Sequence, residues 1–270
     1  MGKWDKRLSY DALYQKRIEE GKTGTAIALE LGVPDYAVYE YMYKYSIIKK
    51  RTDFNKRKSK PNAPGSAIRS RLLSGSEKQL ILGSLLGDGH VSLHKGREAN
   101  TFWSMYQENH ALKQRDYLLW KYEYLKGLCL SEVKPYEFRA FKGVSLCTAM
   151  HPYFLCLRKL LYESGKKEVN TWWLNQLDDL AVAAWYGDDG SNGNGTPIIA
   201  TCGFSVRSNE LLMDFLATRY GLSVQQYINS VGNRYITVRA STRRLEWLEL
   251  MRSYLPSSMH YKTYLHGRSV

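Results

Sequence analysis

Two nine-residue stretches hold the residues best suited to chemistry. Residues 81 to 89 read ILGSLLGDG and residues 182 to 190 read VAAWYGDDG, each an apolar and small-residue run that stops at an acid and a glycine. Asp88 and Asp189 hold the same place in the two stretches. With Gly89 and Gly190 as the residues that leave each helix, both acids fall in a last turn, facing the negative end of the helix dipole at roughly a few tenths of a kcal/mol. Bringing the two carboxylates together adds like-charge repulsion. A hard divalent cation beside them removes both penalties, because it is attracted by carboxylates and by unpaired helix-terminal carbonyls, here those of Gly87 and Asp188. The pattern predicts a metal site where two helices meet.

The elements that must position these acids are legible around them. Gly83 and Gly87 lie four apart on one helix face, and so do Ala183 and Gly187, with Ala184 alongside. Faces without bulk let two helices approach to or below the usual separation of about 8 to 10 Å. From residue 72 the chain reads as two copies of one pattern. The first is helix 76–88, strands near 90–94 and 101–107, helix 110–127, strands near 132–139 and 142–148, and helix 152–164. The second is helix 174–188, strands 197–206, helix 208–220, strands 223–229 and 233–239, and helix 242–252. Asp88 to Asp189 is an offset of 101 residues, and so is Trp103-Ser-Met to Phe204-Ser-Val, which argues for duplication. The predicted fold is α+β, two αββαββα repeats over residues 73–170 and 171–270.

Composition points to the partner. The 270 residues carry a formal net charge of +13, which suits a polyanion, and nucleic acid is the commonest one in a cell. No run of about 18 apolar residues is present, so no membrane span is expected. MGKWDKRLSY at the start lacks the apolar core of a signal peptide, and the expected location is the cytoplasm of a bacterial or phage-infected cell, with an organelle as the alternative. Cys129, Cys147, Cys156 and Cys202 stand singly, without metal-ligand spacing, and read as buried free thiols. Residues 49 to 71 hold nine basic residues against the single Asp53 and show no apolar periodicity. This reads as a linker, residues 50–72, and Lys49 just ahead of it, with Lys50, Arg51, Lys56, Arg57, Lys58 and Lys60 within it, suits DNA phosphates. Ahead of it, Ala28, Gly32, Val38 and Tyr41 are spaced as in a helix-turn-helix, residues 1–49, which either enters a DNA groove or is a three-helix packing unit.

With both motifs in hand, the sequence resembles the LAGLIDADG homing endonucleases in their single-chain, two-motif form. The match rests on ILGSLLGDG and VAAWYGDDG at the small residues, the terminal acid and the final glycine, and on PSSMHYK at 256 to 262. The first acid of the family motif is Leu86 in one copy and Gly187 in the other. The resemblance implies a monomeric saddle of two four-stranded sheets along double-stranded DNA. In it Asp88 and Asp189 each bind Mg²⁺, with Mn²⁺ or Ca²⁺ able to take the same sites. Each acid then serves one strand, with water attacking in line and short 3′ overhangs as product. It also implies a basic residue near each scissile phosphate: Lys262 in the second repeat, and in the first Lys167, with Lys166 its close rival. Gln107 is either part of an active-site water network or a polar strand end. Two other readings remain open, a non-catalytic DNA-binding regulator and a maturase that acts on intron RNA.

Base recognition is expected from the outer faces of the strands, because alternate residues point to opposite sides. In the second repeat Phe204, Val206, Ile236 and Val238 are expected inward. Ser205, Arg207, Gln225, Tyr227, Asn229, Tyr235, Thr237 and Arg239 are expected toward DNA, as are Ser104 and Tyr106 in the first. His90 and His94 are too far apart on a strand to share an ion. Glu108-Asn109-His110 reads as a strand-to-helix junction with Asn109 as N-cap.

Overall fold

The structure, a computed structural model, describes residues 7–47, 64–96, 101–138, 141–163, 165–193 and 195–264. Three helices come first: α1 (Tyr10–Tyr14), α2 (Gly24–Leu31) and α3 (Asp35–Lys44). Gly32 closes α2 in the left-handed region at φ 61°, the turn that a side chain would strain. Leu8, Leu13, Ile27, Ala28, Val38 and Met42 form a small core of their own. α1 ties this unit to the rest, since Tyr10 and Tyr14 are buried in the main core and the Tyr14 ring lies 6.0 Å from that of Tyr153. Lys49, Lys50, Arg51, Lys56, Arg57, Lys58 and Lys60 lie outside the described residues. The far end of the expected linker is a helix, α4 (Pro64–Ser70).

The first repeat follows as α5 (Gly75–Leu86), β1 (His90–Lys95), β2 (Phe102–Ala111), α6 (Arg115–Leu125), β3 (Lys134–Phe138), β4 (Phe141–Cys147) and α7 (Pro152–Leu161). A two-stranded ribbon, β5 (Tyr162–Glu163) with β6 (Lys166–Lys167), and helix α8 (Thr171–Gln176) lead to the second repeat. That repeat is α9 (Asp179–Asp189), β7 (Gly190–Gly193), β8 (Thr196–Ala200), α10 (Val206–Tyr220), β9 (Val224–Ile228), β10 (Arg234–Val238) and α11 (Thr242–Tyr254), with a 3₁₀ turn at Ser257–Thr263. Each repeat holds one antiparallel four-stranded sheet, ordered β1-β2-β4-β3 and β7-β8-β10-β9. The expected α+β pattern of two αββαββα units is therefore present.

α5 and α9 form the central pair. Ser74 and Glu77 cap α5 reciprocally, side chain to backbone in both directions, and Asp178 caps α9 through the Ala181 N–H. A Cβ on Gly83 would meet the Ala181 carbonyl oxygen at 2.0 Å, so the two backbones touch where only glycine fits. Gln79 accepts from Asp178 N at 2.9 Å and donates to Gln176 O at 2.7 Å, and the Trp173 indole donates to Leu82 O at 3.1 Å. These bonds fix the register of one motif on the other.

The repeats do not keep one offset. His90 pairs with Gln107 across β1–β2, whereas Ser191 pairs with Ile198 across β7–β8, so the second hairpin is ten residues shorter. After it the offset is 91 residues, as in Arg115 to Val206 at the starts of α6 and α10. The similarity of Trp103-Ser-Met to Phe204-Ser-Val is thus coincidental. Trp103 lies in β2, while β8 has ended at Ala200 and Ser205 is the N-cap of α10. Val206, expected inward, is half exposed in the first turn of that helix. β7 leaves no signal in the sequence, because Gly-Ser-Asn-Gly has no strand propensity and is held by its partner β8.

Candidate metal and nucleic-acid site

Each motif helix delivers its acid differently. α9 runs through Asp189, but α5 stops at Leu86 and Gly87 caps it, which places Asp88 one residue past the cap rather than in the helix's last turn. Gly190 caps α9 through its N–H to the Tyr186 carbonyl, but neither following glycine takes the positive φ of a left-handed helix end. They are glycines because of close approach: a Cβ on Gly89 would meet the Tyr106 hydroxyl at 2.7 Å, and one on Gly190 the Tyr186 ring at 2.2 Å. Burial, and then the charges of Asp188 and Asp88, push the Asp189 carboxyl up to about 7. Carboxylates crowded against their own repulsion are a donor set that fits a hard divalent cation.

A lysine stands at each helix end. Lys167 Nζ donates to Gly87 O at 2.9 Å and Gly89 O at 3.1 Å, and Lys262 Nζ donates to Gly187 O at 2.6 Å and Asp188 O at 3.0 Å. The carbonyls of Gly87 and Asp188, expected as metal ligands, are thus each held by an ammonium here. Burial pulls both ammonium groups below the usual lysine range, against the upward pull of the nearby aspartates. Lys166 is exposed on the ribbon that carries Lys167, which separates the two rivals by position. Lys262 is fixed by the Tyr186 hydroxyl, which donates to its carbonyl at 2.7 Å.

A buried charged cluster lies beneath the first repeat's acid. The Asp188 side chain crosses the helix pair, and a Cβ on Gly87 would sit 2.4 Å from its Cβ, so Gly87 makes the room. Asp188 Oδ1 accepts from Lys121 Nζ at 2.6 Å and the Tyr117 hydroxyl at 2.9 Å, while Oδ2 accepts from Asp88 N at 3.3 Å. Lys121 also donates to Glu108, which accepts from the Tyr106 hydroxyl as well. His110 Nε2 lies 2.7 Å from Glu108 Oε1, and its Nδ1 lies 3.6 Å from Asp88 Oδ2. Burial raises Glu108, but Lys121 and His110 outweigh it and hold the carboxyl below its usual range. Asp188 goes the other way: burial raises it and Lys121 offsets only part, Glu108 and Asp88 adding repulsion. The cluster is one-sided, because the offset puts Ile199 and Leu212 where the first repeat has Glu108 and Lys121. Both are fully buried apolar residues.

Sequence reading missed this cluster. Glu108, Asn109 and His110 are not a junction: β2 continues through Ala111, Asn109 is exposed and caps nothing, and its neighbours point inward. A usable signal was Lys121, which shares one helical stripe with Tyr117, Leu118 and Leu125, all buried.

The sheet faces divide the base-reading candidates. Gln225, Tyr227, Tyr235 and Thr237 share the outer face of the second sheet, paired as Tyr235 with Tyr227 and Thr237 with Gln225. Arg239, just past β10, donates to Gln225 Oε1 at 2.9 Å, and Asn229 closes the turn after β9. An open depression of about 250 Å³ joins Asp189 to this face, lined also by Ser191, Ile198, Tyr227, Asn229 and Tyr235. Ser205 and Arg207 are not on it; Ser205 caps α10 and bonds Glu168, and Arg207 follows in the helix. Ser104 and Tyr106 are buried inward, so the phase of β2 is the reverse of that expected. Trp103, Met105, Gln107 and Asn109 face outward instead, and Gln107 Oε1 pairs with His90 Nε2 at 3.0 Å.

Known proteins share this architecture. The homing endonuclease I-WcaI, solved bound to its DNA recognition sequence, superposes with a TM-score of 0.63 over 81% of this chain and 100% of its own, at 20% identity. The DNA endonuclease I-ChuI of Chlamydomonas applanata is 27% identical over 213 residues, 70% of this chain and 95% of that protein. Protein RecA of Mycolicibacterium chitae is 30% identical over 207 residues, 70% of this chain but 47% of its own length. The chain therefore spans about half of the RecA relatives it matches. A family model described as the LAGLIDADG DNA endonuclease family matches residues 78–248, which include both motifs and both sheets. With its two motif helices paired at the centre of two four-stranded sheets, the chain belongs to the LAGLIDADG DNA endonuclease family.

Proposed function

We propose that the chain is a site-specific endonuclease that cuts both strands of a long double-stranded DNA target with the help of Mg²⁺ and leaves short 3′ overhangs. The observation that carries this reading is the pair of acids, Asp88 and Asp189, set beside a half-buried Lys167 and a buried Lys262 at the meeting of two motif helices. Asp88 and Asp189 are the residues to hold the cations, which when bound would supply the charge that activates water and stabilises the leaving oxygen. Lys167 and Lys262 place a fixed positive charge at each helix end, where a phosphate would be drawn. The outer faces of the two sheets present Gln107, Asn109 and Gln225, with Arg239 just past β10 beside Gln225, residue types able to read base edges. Pairing of α5 with α9 within one chain supports action as a monomer.

A regulator without cleavage is disfavoured by the same acids, because clustered carboxylates repel the DNA backbone and give a pure binder nothing. Among the described residues no helix is long and apolar enough to cross a membrane. The test is a cleavage selection against a randomised double-stranded library with Mg²⁺. Recovery of one long consensus, cut on both strands, supports the reading; no cleavage of any duplex under conditions where the protein binds DNA contradicts it.

A further inference from the structure

His110 offers a nitrogen where carboxylates converge. Its ring is 2% exposed, under the first repeat's acid. Glu108 Oε1, 2.7 Å from His110 Nε2, also accepts from Lys121, so it acts as an ionised acceptor and Nε2 must be the donor. With the ring neutral, Nδ1 keeps a lone pair, and this buried atom has no hydrogen-bond partner among the described residues. That lone pair faces acceptors: one ligand atom each of Asp88, His110 and Asp188 lie within 4.8 Å of one another. Asp188 already accepts from Lys121, Tyr117 and Asp88 N, but a neutral His110 Nδ1 and Asp88 Oδ2 face one another at 3.6 Å with no donor between them, and a cation resolves that contact. A carboxylate that takes one imidazole N–H and leaves the other nitrogen free is the arrangement that orients metal-bound histidines.

We infer that Asp88, Asp188 and His110 Nδ1 form a mixed nitrogen and oxygen site for a divalent transition-metal ion, favouring Mn²⁺, Co²⁺ or Zn²⁺ over Mg²⁺. The inference rests on the reading of Asp88 as a metal-holding residue and adds the ligand type. Imidazole suits Zn²⁺ above all and adds affinity for Co²⁺ and, least of the three, for Mn²⁺, while Mg²⁺ is best served by oxygen alone. The second repeat lacks the nitrogen. The offset puts Thr201 in the place of His110, and its hydroxyl is committed to Asn209 and the Arg234 carbonyl. The two halves of the centre therefore differ in metal preference, the first able to discriminate among ions by nitrogen ligation.

The test is pulsed electron paramagnetic resonance of Mn²⁺ bound to the full chain without DNA. Wild type is expected to show a coupled ¹⁴N nucleus that becomes ¹⁵N when the protein is labelled with ¹⁵N-histidine. His110→Gln is expected to lose the coupling and to bind Mn²⁺ about tenfold or more weakly, while His90→Gln keeps it. Labelled wild type gives the histidine readout even if His110→Gln fails to fold. Mn²⁺ bound with oxygen ligands only, or coupling that survives His110→Gln, overturns the inference. Oxygen-only binding together with Mg²⁺-supported cleavage overturns this site and leaves the endonuclease reading intact; nitrogen coupling in a protein that cuts no duplex does the reverse.

Discussion

Asp189 titrates in a field that opposes its charge, and the sign of its pH dependence follows. Burial, Asp188 and Asp88 raise it to about 7, with Lys167 and Lys262 pulling back. The folded protein then holds this proton more tightly than the unfolded chain. Its contribution to stability is full below about pH 4 and is lost as pH rises through about 7. A divalent cation competes with that proton. Addition of Mg²⁺ should therefore raise the melting temperature more at pH 8 than at pH 5.5, as read by differential scanning fluorimetry; an equal or reversed shift would contradict the assignment. Lys121 gives a second prediction. Lys121→Met strands Glu108 and Asp188 without their shared ammonium and should cost about 3 to 5 kcal/mol in urea unfolding. Substituting all three by their counterparts in the other repeat, E108I/K121L/D188G, should recover most of that loss. A triple variant no more stable than Lys121→Met would show that the cluster's charges are not what sets the cost.

Elements carry the next level of argument, because the motif helices work only if their backbones touch. Gly83→Ala drives a methyl into the Ala181 carbonyl and should destabilise by about 1 to 3 kcal/mol. Gly193→Ala, where a Cβ meets nothing within 4 Å, should change stability by about 0.5 kcal/mol or less. Equal effects in thermal unfolding would mean that the helices separate to accommodate the methyl. The helix pair was legible in the sequence, since small residues four apart, followed by a terminal acid, suit a close helix contact and little else. Lys262 was legible for a similar reason, in a segment whose flanks matched the resemblance. The strand phase was not. β2 turns Trp103 and Met105 outward and Glu108 and His110 inward, so hydrophobic alternation points the wrong way when a buried face holds a charged cluster. The unequal hairpins were hidden too, because an offset fixed by the motifs carried over to a strand pair that had lost ten residues.

At the scale of the whole molecule, charge is distributed unevenly between the N-terminal unit and the rest. Residues 7–47 hold six acidic residues against five basic ones, although the chain carries +13. α3, the helix proposed to enter a groove, presents Asp35, Tyr36 and Glu40 to solvent. If α3 lies along DNA, Glu40 opposes the phosphates, and Glu40→Gln should tighten binding a few-fold at low salt, the gain shrinking as salt is added. Unchanged affinity would make the unit a packing element held by Tyr10 and Tyr14. The central claim concerns Asp88 and Asp189, and a plasmid carrying the selected target tests it most directly. With Mg²⁺ the wild type should linearise the plasmid. Asp88→Asn and Asp189→Asn should each abolish linearisation while binding the target about as tightly as wild type. Undiminished linearisation by both variants would contradict the assignment of these two acids as the centre of the site.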